Sequence, residues 1–263
     1  MKKFLLTLSA VALAAMTLNA AGKSDVKYVT TNYDVKGFTG IELSGVVEVQ
    51  VSRSDRYSVK VEAPKEIIDY LIVRVHEGDL EIFVRNVPAR LNRTLKDWSI
   101  KAMVSMPRLT SLEMSGATEF DCTDSFDLGG GKFDLEMSGA SQARGLSFTN
   151  ANADVEISGA SKAELSGEFD RIEAEISGAS VMTISGTARL LDMEVSGASK
   201  LKSVDLVAEN VRAEVSGASK ANVYVEGSLS AEVTGASSFN YRGSDRMEVR
   251  SLSVGRTSSA KRL

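Results

Sequence analysis

The chain has 263 residues, room for one large domain or two medium ones, with 43% hydrophobic and 25% charged residues. A net charge of −4 and a pI near 5.3 exclude the basic footprint of a nucleic-acid binder. Three prolines argue against a disordered chain, and Cys122, the single cysteine, excludes a disulfide within it.

Residues 1–21 have the layout of a secretory signal peptide. Lys2 and Lys3 precede an apolar run from Phe4 to Leu18, and Asn19, Ala20 and Ala21 supply a small-residue cleavage site. The run is too short and too Ala-rich for a membrane span. The expected product is exported, to the periplasm, the outer-membrane surface or beyond, with no transmembrane segment in the mature chain.

Residues 22–108 form a strand-rich N-terminal region. Phe38 to Val46 looks like a first, degenerate copy of a motif that recurs later. Val47 to Val51 and Tyr57 to Val61 alternate with period 2 around a turn-like Ser52–Arg56, which predicts a hairpin. A short helix is expected from Pro64 to Tyr70. Leu71–Val75 and Leu80–Val84 flank His76-Glu77-Gly78-Asp79 as a second hairpin. Residues 86–96 lack alternation and read as a loop. With Arg90, Arg93 and Lys96, and Trp98 beside it, this loop is the candidate ligand-binding segment. Trp98 to Met106 is a further strand, stopped by Pro107.

Residues 109–263 are a repeat array. Glu113-Met114-Ser115-Gly116-Ala117-Thr118 returns from Glu136, Glu156, Glu175, Glu194, Glu214 and Glu232, at spacings of 23, 20, 19, 19, 20 and 18 residues. A period near 20 predicts a solenoid in which each repeat is one coil. Within Ser161–Ala179, Ala163, Leu165, Ile172, Ala174 and Ile176 alternate with charged residues, giving two short strands per coil with Gly-bearing corners. Gly supplies the unusual corner backbone. Ala fits where walls converge, and Ser bonds a backbone group locally or one coil away. One coil buries too little to offset the entropy of ordering it, so coils must form as a block. The fold expected is all-β, a right-handed parallel β-helix-like solenoid preceded by the strand-rich region. The N-terminal strands and a decayed last coil at Ser251–Thr257 would protect its ends.

An acidic column is the main chemical feature. The motif glutamates share one outward position, and two residues earlier stand Asp134, Asp154, Glu173 and Asp192. Asp134, Glu136, Asp154, Glu156, Glu173, Glu175, Asp192 and Glu194 are therefore candidate ligands for a cation such as calcium, which prefers clustered oxygens. The alternative is a solvated face offset by Arg144, Lys162, Lys200, Lys202 and Lys220. Paired carboxylates also permit a carbohydrate-active enzyme. Near-uniform coils, with the one His outside them, point instead to a chain without catalytic residues or a required cofactor.

A signal peptide, the Phe38–Val46 opening and the tandem Ser-Gly-Ala-Ser array together resemble the head GIN domain family, named for auto-transporter adhesins and abundant in Bacteroidetes. The resemblance implies a β-rich fold with a β-helix-like C-terminal part, export, and no catalytic residues. Nothing after Gly255 has the repeated ten-residue alternation of a membrane barrel. The function expected is non-catalytic binding of glycan or a surface protein at the cell envelope through a repetitive face. A purely structural envelope role and a β-helix enzyme are the alternatives.

Overall fold

The computed structural model describes residues 26–95 and 98–263, leaving out the side chains of residues 92–94. The signal peptide read at residues 1–21 and Lys96 lie outside the described residues.

In chain order the strands begin with β1 (Tyr28–Tyr33), β2 (Gly40–Gly45), β3 (Val47–Arg53) and β4 (Ser58–Pro64). A 3-10 turn (Ile68–Tyr70) leads to β5 (Leu71–His76), β6 (Asp79–Val84), the helix α1 (Ala89–Thr94) and β7 (Ile100–Met106). The repeat array supplies β8 (Ser111–Gly116), β9 (Glu119–Cys122), β10 (Phe126–Asp127) and β11 (Lys132–Met137). Four long bent strands follow: β12 (Gln142–Ile157), β13 (Lys162–Ile176), β14 (Val181–Val195) and β15 (Lys200–Val215). They continue into β16 (Lys220–Val233), β17 (Ser238–Gly243), β18 (Glu248–Val254) and β19 (Ser259–Arg262). The chain is nearly all β, with 67% strand, and its C-terminal region is a solenoid of about eight turns.

Two parallel ladders run the length of the stack, one on each side of the corner. The ladder before the corner takes β6, β2, β8 and β11, then the second halves of β12 to β16, then β18. The ladder after it takes β7, β3 and β9, then the first halves of β12 to β16, then β17 and β19. Inward side chains meet in one continuous core from Phe38 to Tyr241. Phe133 packs against Phe148 within it, the rings tilted with centroids 4.2 Å apart.

The layers do not follow the chain. β2 and β3 form a coil around Gly45, matching the degenerate copy expected at Phe38–Val46. That coil is clamped between β8–β9 on one side and β6–β7 on the other. The chain therefore lays down one coil, travels to the end of the stack, adds a layer outside it, and returns past it. In the outer layer the Gly corner is absent, and α1 lies between β6 and β7 in the chain. Antiparallel strands finish this end: β5 pairs β6, β4 pairs β7, and β1 pairs β4.

This threading corrects the first hairpin. β3 and β4 do not pair, because β7 lies between them, parallel to β3 and antiparallel to β4. The second hairpin is present as β5–β6. Pro64 closes β4, and only Ile68–Tyr70 turns helically. Residues 89–94, read as loop, are helical. Pro88 stands at the N-cap, where its missing N–H costs nothing, and Ala89, Arg90 and Leu91 are strong helix formers.

The corner is held by one backbone oxygen per coil. The carbonyl of each corner glycine accepts the Ala N–H of the next coil at 2.7 Å, from Ala117 on Gly45 through Ala236 on Gly217. The Ser that follows adds a second bond to the same oxygen. Ser199 Oγ donates to Gly178 O, Ser219 Oγ to Gly197 O and Ser237 Oγ to Gly217 O, each at 3.3 Å. These serines are buried, while the corner alanines are exposed. Ala is thus not at a convergence of walls; the crowded position is the glycine. Gly197 has φ +71°, and a Cβ there would meet the Gly178 oxygen at 2.5 Å. We predict that Gly197→Ala costs at least about 2 kcal/mol, since left-handed strain and the lost bond add. Ala198→Ser should stay within about 0.5 kcal/mol as an exposed change. Urea melts of both variants check the contrast.

Candidate functional site

The carboxylate column is real and longer than the sequence suggested. Cα register places Glu113, Glu136, Glu156, Glu175, Glu194, Glu214 and Glu232 side by side on the ladder before the corner. Glu42 and Glu81 extend it into the N-terminal layers. Glu81 was invisible as a member because its layer lacks the Ser-Gly-Ala corner. The only sequence signal for it was the strand alternation of Leu80–Val84.

Neighbouring positions on a parallel ladder are about 4.8 Å apart, so the carboxylates stand in a row rather than around a point. Among the described residues no group of three or more His, Cys, Asp or Glu side chains converges as metal ligands would. Glu113, Glu136, Glu156 and Glu175, with Ser138, Ser158 and Ser177, line a shallow groove of about 180 Å³.

The flanking column is offset by its own cations. Lys132 Nζ lies 2.5 Å from Asp134 and 2.9 Å from Asp154. Arg171 pairs with Glu173 and lies 3.5 Å from Asp192, which Arg212 approaches at 3.8 Å. These three cations sit on the same ladder as the acids. Arg144 pairs with Asp121, its neighbour on the ladder after the corner, at 3.1 Å. Lys162, Lys200, Lys202 and Lys220 are on the ladder after the corner and form no ion pair among the described residues. They do not offset the acidic column as the sequence reading had it.

The proposed loop site is described only at Arg90 and Trp98. Arg90 is exposed on α1, and Trp98 is half-buried and packs on the core. The side chain of Arg93 is not described. His76 sits 3.2 Å from Glu81, beside Arg74 at 2.6 Å from the same carboxylate. Cys122 is buried; its thiol points to Asp124 O at 3.4 Å, and burial pushes its pKa up.

Crowding is sharpest at the N-terminal end of the column. Burial, then the charges of Glu42, Glu136 and Asp79, push the Glu113 carboxyl above the usual range. Burial, then Glu81 and Asp79, does the same to Glu42. Folded, these groups hold protons more tightly than unfolded. The native state then binds more protons across that window, so their stability contribution grows as pH falls and is lost as pH rises. We predict that Glu113→Gln stabilises the fold at pH 7 by a few tenths to about 1 kcal/mol, the cost of a like-charged neighbour. The gain should shrink at pH 4, where the raised Glu113 carboxyl of wild type largely carries its proton. Paired urea melts at the two pH values check the sign.

The geometry, an in-register β-solenoid closed at one end by antiparallel strands, can be set beside known proteins. No curated protein matches the chain. In solved structures the fold is shared with a "putative adhesin" of Parabacteroides distasonis, at TM-score 0.79 and 19% identity over 91% of this chain and 98% of that one. A "putative adhesin" of Parabacteroides merdae gives 0.76 at 14% identity, over 90% and 96%. A "putative lipid binding protein" of Parabacteroides distasonis gives 0.69 at 16%, over 90% and 96%. The family model described as "Putative auto-transporter adhesin, head GIN domain" matches residues 37–244. The chain belongs to that head GIN domain family.

Proposed function

We propose that the chain is an exported, non-catalytic adhesin of the cell envelope that holds glycan or another surface protein on the outer faces of its solenoid. The observation that supports this best is the ladder register. Equivalent side chains repeat at the strand spacing over coil after coil, so a long partner can make many weak contacts of one kind. Membership of an adhesin family supports the same role, and the signal-peptide layout of residues 1–21 supports export. Catalysis would call for a few convergent groups in a concave site. The carboxylates here stand in rows, and His76 is tied to Glu81. Among the described residues no helix is long and apolar enough to cross a membrane.

Charge density along the glutamate row also supports a loosely held cation. A melting temperature raised by millimolar calcium over chelator, at matched ionic strength, is the expected sign; identical melts would remove the cation. The adhesin reading predicts binding without turnover. On a glycan array and on immobilised envelope proteins the chain should be retained, and the retained glycan should be recovered intact. Cleaved glycan would replace the adhesin by an enzyme, and silence on both surfaces would leave only a structural role.

A further inference from the structure

The uneven spacing of the repeat has a physical counterpart in β15. The motif glutamates lie 20 residues apart from Glu194 to Glu214 and 18 apart from Glu214 to Glu232. Against β14 the register steps from Thr183↔Lys202 to Ser185↔Asp205, so β15 carries an extra residue. Against β16 it steps from Ser203↔Val223 to Val207↔Tyr224, which leaves Val204, Asp205 and Leu206 without partners. Leu206 turns into the core, and Val204 stays 38% exposed. A bulge bends its strand and re-aims side chains. Here it borders a cleft of about 390 Å³ lined by Lys200, Lys202, Lys220, Val204, Asp205 and Asn222.

The three lysines gather on one face. Lys200 is directly opposite Lys220, and Lys202, two residues along β15, points the same way. Among the described residues none of them is in an ion pair or a side-chain hydrogen bond. Lys132, Arg144, Arg171, Arg189 and Arg212, elsewhere on the coils, are all paired. Like charges directly opposite each other are unfavourable. Asp205 lines the same cleft without closing an ion pair. A cluster of unpaired cations, beside a break in the ladder, thus stands on a chain of net charge −4.

We propose that this cleft binds an acidic polysaccharide through carboxylate or sulfate groups carried along an extended sugar chain. Each ammonium offers three donors and a compact charge. Lys200 and Lys220 stand one strand spacing apart, about 4.8 Å, close to the repeat of one pyranose in an extended chain, so the pair can meet charges on successive sugars. Asn222 offers hydrogen bonds to ring hydroxyls, and Val204 offers a surface for a sugar's C–H face. A flat anionic bilayer would also meet Glu119 and Glu164, which share outward positions of this ladder with the lysines, whereas a single chain can follow the lysines alone. The proposal rests on the glycan reading above and narrows it to one site and one charge class.

The test uses the full chain with polygalacturonate, dextran sulfate and neutral dextran as probes in titration calorimetry. Both acidic polymers should bind, neutral dextran should not, and molar salt should weaken binding by screening. K200Q/K202Q/K220Q should lose affinity by about tenfold or more, with an unchanged circular dichroism spectrum. K60Q/K65Q/K101Q, which removes as much charge from the N-terminal layers, should bind as wild type. Equal losses in the two variants would overturn the site in favour of general charge attraction. Binding to phosphatidylglycerol vesicles with both acidic polymers ignored would overturn it in favour of a lipid surface. Array signals confined to neutral glycans would sink the cleft while leaving the adhesin standing. Silence toward every glycan and surface protein would remove both.

Discussion

Everything in this molecule is aligned by the corner glycine's carbonyl oxygen. It takes the Ala N–H of the next coil at 2.7 Å and, in several coils, the Ser hydroxyl at 3.3 Å. Both bonds require that a chain pass directly over the glycine, where a side chain would occupy the acceptor's place. The corner thereby fixes register as well as direction, since a slip of one residue would put every core side chain into solvent. The hydrophobic core supplies the driving force without dictating which rung sits over which, because Ile, Val, Leu, Met and Ala recur at inward positions throughout.

That register has an electrostatic consequence. Stacking the corners stacks whatever precedes them, and glutamate precedes nearly all of them. Charge repulsion along the column is thus a by-product of exact layering, tolerated because most of the row faces water and the buried Glu81 is held by Arg74. It is felt most where water is scarcest, beside Asp79 and Glu42, and there the carboxyls hold their protons longest. The flanking column shows the other solution, with Lys132, Arg171 and Arg212 set among the acids.

The coil array was legible because its signals are local. A Gly-Ala-Ser corner and period-2 alternation announce themselves within ten residues. The N-terminal layers were less legible because their partners are distant. Val47–Val51 and Tyr57–Val61 alternate as a hairpin would, but alternation records which face is buried and says nothing of which neighbour supplies the hydrogen bonds. Those come from β7, about fifty residues on, and from β9. The column's member at Glu81 was lost for the same reason, while Glu42 is legible in the degenerate copy at Phe38–Val46. The lysines after each corner were assigned to the wrong face because the sequence gives their distance from the glutamates along the chain, whereas the corner turns them onto another ladder. One signal was present and unread: the spacings of 20 and then 18 residues marked the bulge in β15.

The threading at the N-terminal end explains how a repeat stack can have a finished edge. A solenoid whose first coil simply ended would leave two rows of unpaired N–H and C=O groups. Here the first coil in sequence is the second in space, and the layer outside it, β6 with β7, is met by antiparallel strands. Antiparallel pairing changes the hydrogen-bond pattern, so another copy's parallel coil cannot continue the ladder on the same terms. The excursion through β4 to β7 delays closure of this end, because β2 and β3 gain their second neighbours only after some seventy further residues are in place. Non-local pairing of this kind slows folding. The β12–β16 coils, each made of consecutive residues, need no such wait, so the regular part of the stack is the natural template on which the clamped coil and its cap are assembled.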